Sequence, residues 1–236
     1  MCPGKRVYQQ LYLASNSPRR KELLSLLGWE YSLLPAKVDE TPQPNEDGME
    51  YVLRIAKSKV LAATHKTDIN GVIIAADTTV IRRGMNGKTE IYGKPRDQSE
   101  ATEMLRKLRG RTHQVLTALS ILRTQDGKIK FDYCTTDVPM RNYSYEEINA
   151  YVASGDPMDK AGAYAIQHAG FHPVEKLQGC YANVMGLPLC HLTRRLTQFG
   201  LHPKTDVPQT CQAAIGYNCS VYSKILIEQT QDNPLS

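Results

Sequence analysis

Apolar positions along the chain change period repeatedly, and the changes mark its elements. Leu11–Ala14 is a short continuous apolar run, the pattern of a buried strand. Ser15-Asn16-Ser17-Pro18 then reads as a turn into a helix, with Ser17 at the N-cap and Pro18 as the first helical residue. Leu23, Leu24, Leu26 and Leu27 give that helix an apolar face, and Gly28 sits where a helix ends. After the turn-rich Thr41-Pro42-Gln43-Pro44-Asn45, the stretch from Glu46 to about Lys66 places Tyr51, Val52, Ile55, Lys59, Val60 and Ala63 at helical spacing. Val72–Ala76 is again a continuous apolar run, predicting a buried strand that ends at Asp77. Gly84, Asn86 and Gly87 predict a hairpin turn beyond it, and Asp97 with Glu100 predicts a capped helix to about Leu108.

The second half opens on two β-rich stretches, Thr112–Arg123 and Lys128–Met140, separated by the hairpin signal Gln125-Asp126-Gly127. Ser144 with Glu147 caps a helix to about Ala153. Short strands are expected around Tyr164–Gln167 and Val174–Leu177, and a last helix near Pro188. The order predicts an α/β protein with a mixed, elongated sheet, flanking helices and two lobes around a cleft. Residues 1–203 form one such domain. Residues 204–236 lack periodicity until Val221–Ile227, so they read as a C-terminal extension, either an appended element or a loosely ordered tail, dispensable for chemistry.

Composition narrows the class. The 236 residues are 41% hydrophobic and 22% charged, as in ordinary globular proteins. The net charge of +5 suits an anionic partner, and a nucleic-acid-binding regulator is the alternative it raises. Lys and Arg are nevertheless scattered among carboxylates, and three Phe and one Trp supply no stacking pattern, so nucleic acid is not the expected partner. Six cysteines contain no C-x-x-C pair, which favours free thiols. The N-terminal MCPGKRVYQQ has no apolar signal core and no stretch approaches a membrane span, so a cytoplasmic protein is expected.

Several residues are candidates for chemistry. Ser15, Ser17, Arg19 and Arg20 converge on a helix N-terminus, where free N–H groups and the dipole attract an anion, with a capped surface helix as the plainer alternative. Gly87-Lys88-Thr89 is only a near miss to a Walker loop, because Arg82 stands where the first glycine belongs. His168 and His172 have the spacing of a helical metal pair without a helical pattern around them. Asp77, Glu40 and Asp39 are the carboxylates best placed to hold a divalent cation together with substrate phosphate. Lys59 lies within a helix and Lys94 in a Gly-Lys-Pro turn, positions that by themselves suit solvated lysines.

The run from Leu13 to Leu24, LASNSPRRKELL, resembles the opening signature of the Maf family of nucleotide pyrophosphatases. Val38-Asp39-Glu40-Thr41, Tyr51-Val52-Leu53-Arg54 leading to Lys59, Ala76-Asp77-Thr78, Gly93-Lys94-Pro95, Gly110-Arg111-Thr112-His113 and Asp159-Lys160-Ala161-Gly162-Ala163-Tyr164 follow in family order, over roughly residues 11–200. The resemblance implies hydrolysis of a nucleoside triphosphate to monophosphate and pyrophosphate, a divalent metal such as Mg or Mn at Glu40 and Asp77, and a homodimer. It implies that Asp77 activates water, that Glu40, Lys59 and Lys94 complete the catalytic group, and that Arg19, Thr78 and Gln167 select the base. Ser15 and Arg20 would join Arg19 around the phosphates. The stretch ending at Ile166-Gln167 is similar to the dTTP/UTP branch, with the 7-methyl-GTP branch as the alternative. Ala75, Thr79 and Ala165 depart from residues usual in the family, the last of them beside the base-selecting stretch.

Overall fold

The structure is a computed structural model that describes residues 10–65, 69–84 and 89–227. One mixed sheet contains β1 (Gln10–Leu13), β2 (Tyr31–Leu33), β3 (Gly71–Arg83), β4 (Thr89–Tyr92), β5 (Thr112–Arg123) and β6 (Lys128–Pro139). The strand order is β2-β1-β3-β5-β6, with β4 paired to β3 off that path. The helices are α1 (Pro18–Ser25), α2 (Gly48–Thr64), α3 (Gln98–Leu108), α4 (Tyr145–Ala153), α5 (Tyr181–Met185), α6 (Leu189–Thr197), α7 (Val207–Ile215) and α8 (Tyr222–Ile227). None of the described helices is long and apolar enough to cross a membrane.

Local chemistry sets several boundaries where the sequence places them. Asp47 and Glu50 close a reciprocal capping box on α2, and Ser144 with Glu147 does the same on α4. Asp97 accepts from the Glu100 amide at the start of α3, while the Glu100 carboxylate turns to Arg96 instead of back to the cap. Gly28, with φ of +70°, follows the end of α1.

Side-chain alternation divides the core. On β3, Val72, Ile74 and Ala76 pack with Leu11, Leu13, Leu23, Leu24 and the α5–α6 region. Ile73 and Ala75 point to the other face, against Ala14, Val60 and Ala63, the last two on α2. Farther along the same long strands, Val80, Val115 and Val138 join a second core with α3 and α4. The mixed sheet with helices on its faces is as expected, and its two principal cores lie at opposite ends of the long strands.

Asp77 stands in the middle of β3, not at a strand end. The β-branched Thr78-Thr79-Val80-Ile81 continue the strand, and β5 pairs with it from Val72 to Ile81 without interruption. The other edge of β3 changes partner: β1 pairs in parallel with residues 71–74, and β4 pairs antiparallel with residues 80–83. Residues 75–79 therefore have a strand neighbour on the β5 side alone, and Asp77 is at the centre of that gap. Asn86 and Gly87, expected in the β3–β4 turn, lie outside the described residues, as does Lys88.

The short strands expected at 164–167 and 174–177 are absent; the second survives as a single bridge between Val174 and Met140. Gly162 and Ala163 adopt positive φ, the His168 amide bonds the Ala165 carbonyl, and the Phe171 amide bonds His168 Nδ1. Those local bonds give the backbone partners that a ladder supplies elsewhere.

Of the two alternatives for the extension, the described residues have the appended element and not the loose tail. The Lys204 amide bonds the Leu27 carbonyl, and Thr205 Oγ1 donates to that of Leu26. Asp206 caps α7, and Val207 and Ile225 are buried in the core that contains Leu192, Leu196 and Phe199. Cys180, Cys190, Cys211 and Cys219 line a small apolar cavity under these helices. The five described cysteines are free, and burial pushes Cys190 and Cys211 up to about 12, so they are packing thiols and not nucleophiles. Cys2 lies outside the described residues.

Candidate active site

The gap in the β3 edge opens into a cleft of about 530 Å³. Its walls are the turn from β1 to α1, the segment before α2, the Gly93-Lys94 turn, residues 159–167 and the end of α5. Ser15, Arg19, Arg20, Glu40, Lys59, Asp77, Thr78, Lys94 and Gln167 all face this one cleft. Asp39 is not among its lining residues; its Oδ1 accepts from the Thr41 amide in a local turn. His168 and His172 are also elsewhere, and no group of three or more His, Cys, Asp or Glu among the described residues has the arrangement of a metal cage.

Three charges form the centre. Lys59 belongs to the buried stripe of α2 with Val52, Ile55, Ala56, Val60 and Ala63, where an unpaired ammonium is costly. Asp77 shares the β3 face of Ile73 and Ala75, which meets α2. Lys59 Nζ accordingly donates to Asp77 Oδ1 at 2.7 Å and lies 2.7 Å from Glu40 Oε1. The lysine thus sits between two carboxylates, one on a strand and one on an irregular segment.

The two acids have opposite electrostatic settings. Burial pushes the Asp77 carboxyl above its ordinary range, against the pull of Lys59 and then Arg20. Burial also raises Glu40, but Lys59, followed by Lys94 and Arg20, outweighs it and leaves this carboxyl below the ordinary range. Asp77 is the better proton acceptor of the pair, and Glu40 the more persistent anion.

Arg20 is committed to the wall: Nε donates to the Gly186 carbonyl at 2.8 Å and Nη2 to Thr78 Oγ1 at 3.0 Å. Gly186 has φ of +106°, and a Cβ there would lie 3.2 Å from Thr78 Oγ1, so glycine lets these groups approach. Thr78 Oγ1 also lies 2.9 Å from Thr117 Oγ1, whose hydroxyl donates to the Asn183 carbonyl. Arg19 reaches across the cleft mouth to Asp159 at 3.4 Å. Ser15 Oγ accepts from the Ser17 amide, shaping the turn, whereas Ser17 makes no side-chain cap. Lys94 and Gln167 are exposed at the rim. The Gly162 amide ties the Lys94 turn in place through the Gly93 carbonyl, and a Cβ on Gly162 would meet Val80 Cγ2 at 2.7 Å.

Residues 10–199 match the family described as Maf-like protein. This chain belongs to the Maf family. Two curated relatives are dTTP/UTP pyrophosphatases: one from Shigella sonnei, 44% identical over 83% of this chain and 96% of its own, and one from Dehalococcoides mccartyi, 40% identical over 83% and 84%. A solved nucleoside-triphosphatase / dITP/XTP pyrophosphatase from Mycobacterium abscessus covers 80% of this chain and 98% of its own at 13% identity and a TM-score of 0.40, too distant to bear on the site. Helices α7 and α8 of this Maf protein lie beyond the matched residues.

Four cleft or supporting residues had no assigned role in the sequence reading. Lys160 is buried, donating to the Asp156 carbonyl at 2.5 Å and to Asp159 Oδ1 at 2.6 Å, so it neutralises the acidic turn opposite Arg19. Tyr51 lines the cleft beside Glu40. Tyr164 also lines it, and its Oη is 2.8 Å from Nε2 of the buried His113. Tyr164 and His113 sit in family motifs, but only tertiary structure shows that they touch.

Burial pushes His113 down to about 3, so it is neutral at physiological pH. Between that value and the ordinary 6.5, the unfolded chain binds a proton that the folded chain does not. The stability from neutral His113 is complete above 6.5 and declines as the pH falls toward 3, by about 2 kcal/mol already at pH 5. His113→Asn is expected to flatten the decline of Tm between pH 7 and 5, whatever its Tm at neutrality. Parallel Tm profiles for the variant and the parent protein would contradict this.

Proposed function

We propose that this Maf protein hydrolyses dTTP and UTP to the monophosphate and pyrophosphate. The observation that carries the reading is Lys59 held between Asp77 and Glu40 inside a cleft rimmed by Lys94, Arg19 and Gln167. Cleavage between the α and β phosphates requires negative charge to be neutralised and a water to lose its proton as it attacks phosphorus. Asp77 accepts that proton while the water oxygen bonds to the α-phosphorus and the bridging oxygen leaves with pyrophosphate. Lys59 and Lys94 neutralise phosphate oxygens, and Arg19 orients the substrate at the mouth.

The donor set fits a hard divalent cation, Mg or Mn. Asp77 and Glu40 each place one carboxylate oxygen 2.7 Å from Lys59 Nζ, so their other oxygens would be the ones to hold the cation, which would draw its remaining ligands from substrate phosphate and water. When bound, it supplies charge neutralisation and polarisation of phosphate oxygens. The homodimer implied by the family resemblance and the cytoplasmic location expected from the sequence are part of the same proposal; sedimentation velocity tests the first and fractionation the second.

Pyrophosphate release across a panel of dTTP, UTP, CTP, GTP and 7-methyl-GTP is the test. A Gln167 amide offers one acceptor and two donors, a match for the O4 and N3–H edge of thymine and uracil. Cytosine puts a donor where those bases put an acceptor. An unmatched polar group costs about 1–3 kcal/mol, so kcat/KM is expected to favour dTTP and UTP over CTP by roughly ten- to a hundredfold. Gln167→Ala should lose most of that preference and retain turnover. Equal rates on dTTP and GTP would end the pyrimidine reading, and a preference for 7-methyl-GTP would move the protein to the other branch.

A further inference from the structure

Glu40 is the one central charged group with no helix or strand beneath it: residues 34–43 have no regular secondary structure, and the Glu40 side chain is 41% exposed. Its position nonetheless brings Oε1 to 2.7 Å from Lys59. An irregular segment holds a side chain this closely only if its backbone is fastened elsewhere.

The fastening comes from one face of α2. Tyr51 and Arg54 are three residues apart, so they project side by side over the segment before the helix. Tyr51 Oη donates to the Glu40 carbonyl at 2.9 Å. Arg54 Nη2 donates to the next carbonyl, that of Thr41, at 3.0 Å. The same guanidinium forks onto Glu46, Nε to Oε1 at 2.5 Å and Nη2 to Oε2 at 2.7 Å. Glu46 Oε2 accepts in turn from the Gln43 amide at 2.9 Å. The hydrogen bonds therefore span the backbone from residue 40 to residue 46, and both donors stand on the helix that bears Lys59. Burial of an aromatic ring explains Tyr51 as packing, but not the selection of the Glu40 carbonyl. Surface display of a charge does not explain why Arg54 holds three acceptors on one segment.

We infer that Tyr51 and Arg54 are positioning residues that set the reach of Glu40 to the Lys59–Asp77 pair, acting only through the backbone of residues 40–46. The inference rests on the proposed catalytic role of Glu40. Helix α2 then carries both the central lysine and the clamp for the second acid, so one rigid element fixes their separation.

The test combines kinetics with amide exchange on the full chain. Arg54→Met is expected to lower kcat about tenfold with dTTP, the scale of one charge-assisted hydrogen bond, with little change in KM. Tyr51→Phe, which loses one hydroxyl, is expected to lower kcat about threefold and to leave Tm almost unchanged. In a Glu40→Gln background neither change should cost more than about twofold, because residues acting through Glu40 cannot add to its loss. Exchange of the amides of residues 40, 41, 43, 45 and 46 should speed up in Arg54→Met while that of β3 stays as in the parent. Full additivity in the Glu40→Gln background, or unchanged exchange over 40–46, would overturn the inference. If Arg54→Met fails to fold, Tyr51→Phe decides by the same criteria. A parent enzyme insensitive to Glu40→Gln would instead overturn the role of Glu40 itself, and the exchange measurement would still decide whether the clamp exists.

Discussion

Asp77→Asn is expected to remove nearly all turnover, lowering kcat by about 10²–10⁴-fold, while the protein stays folded. The range is that of losing a positioned general base, and the variant also removes one of the two carboxylates proposed to hold the cation. The usual objection to such a variant, collapse of a buried ion pair, is weak here. Lys59 keeps Glu40 Oε1 at 2.7 Å, so its ammonium is not left unpaired. Burial already pushes the Asp77 carboxyl upward, which means that ionised Asp77 is held at an energetic cost. An isosteric neutral amide relieves part of that cost, so Tm should change by no more than a few degrees and can rise. Steady-state pyrophosphate release and a thermal melt on one preparation check both halves. Turnover within tenfold of the parent would remove Asp77 from the mechanism, and a large drop in Tm would identify it as a structural counter-ion of Lys59.

That charged centre shows how far the sequence carries. The helix start at Pro18, the helix opened by Asp97 and the box of Ser144 with Glu147 depend on neighbours within four residues, and the structure keeps them. The 123–128 hairpin is equally local. Asp77 was legible as a buried carboxylate, yet not as a mid-strand residue. Its surroundings depend on where β1 ends and β4 begins along β3, a relation among segments far apart in the chain. The same holds for Lys59: a lysine within a helix reads locally as a solvated side chain, and only the meeting of α2 with β3 turns it into a paired centre. Residues 164–167 and 174–177 failed as strands for the opposite reason. Positive φ at Gly162 and Ala163 and turn bonds from His168 and Phe171 leave no periodic signal. The nine candidate site residues were found as separate motifs, and the cleft is what makes them one site.

Removal of residues 206–236 is expected to lower Tm on the order of 10 °C and to reduce soluble yield, although no proposed catalytic group lies there. Val207 and Ile225 are buried among Leu192, Leu196 and Phe199 of the family core. Each fully buried aliphatic side chain contributes about 1.5–3 kcal/mol, and in a protein of this size each kcal/mol corresponds to about 2–4 °C. The deletion also uncovers the apolar wall at Leu189 and Cys190, and Arg194 loses its bond to the Ile225 carbonyl while keeping its fork on the buried Asp132. The cleft is formed by residues 14–186, so the fraction that remains folded should turn over dTTP within a few fold of the parent. Ile225→Asp separates packing from chain length, because it leaves every residue present and places a charge in the core. A truncated protein with Tm within about 2 °C of the parent, together with a tolerated Ile225→Asp, would show that α7 and α8 rest on the core without supporting it. A stable truncated protein that has lost activity would place an unsuspected catalytic contribution beyond residue 205.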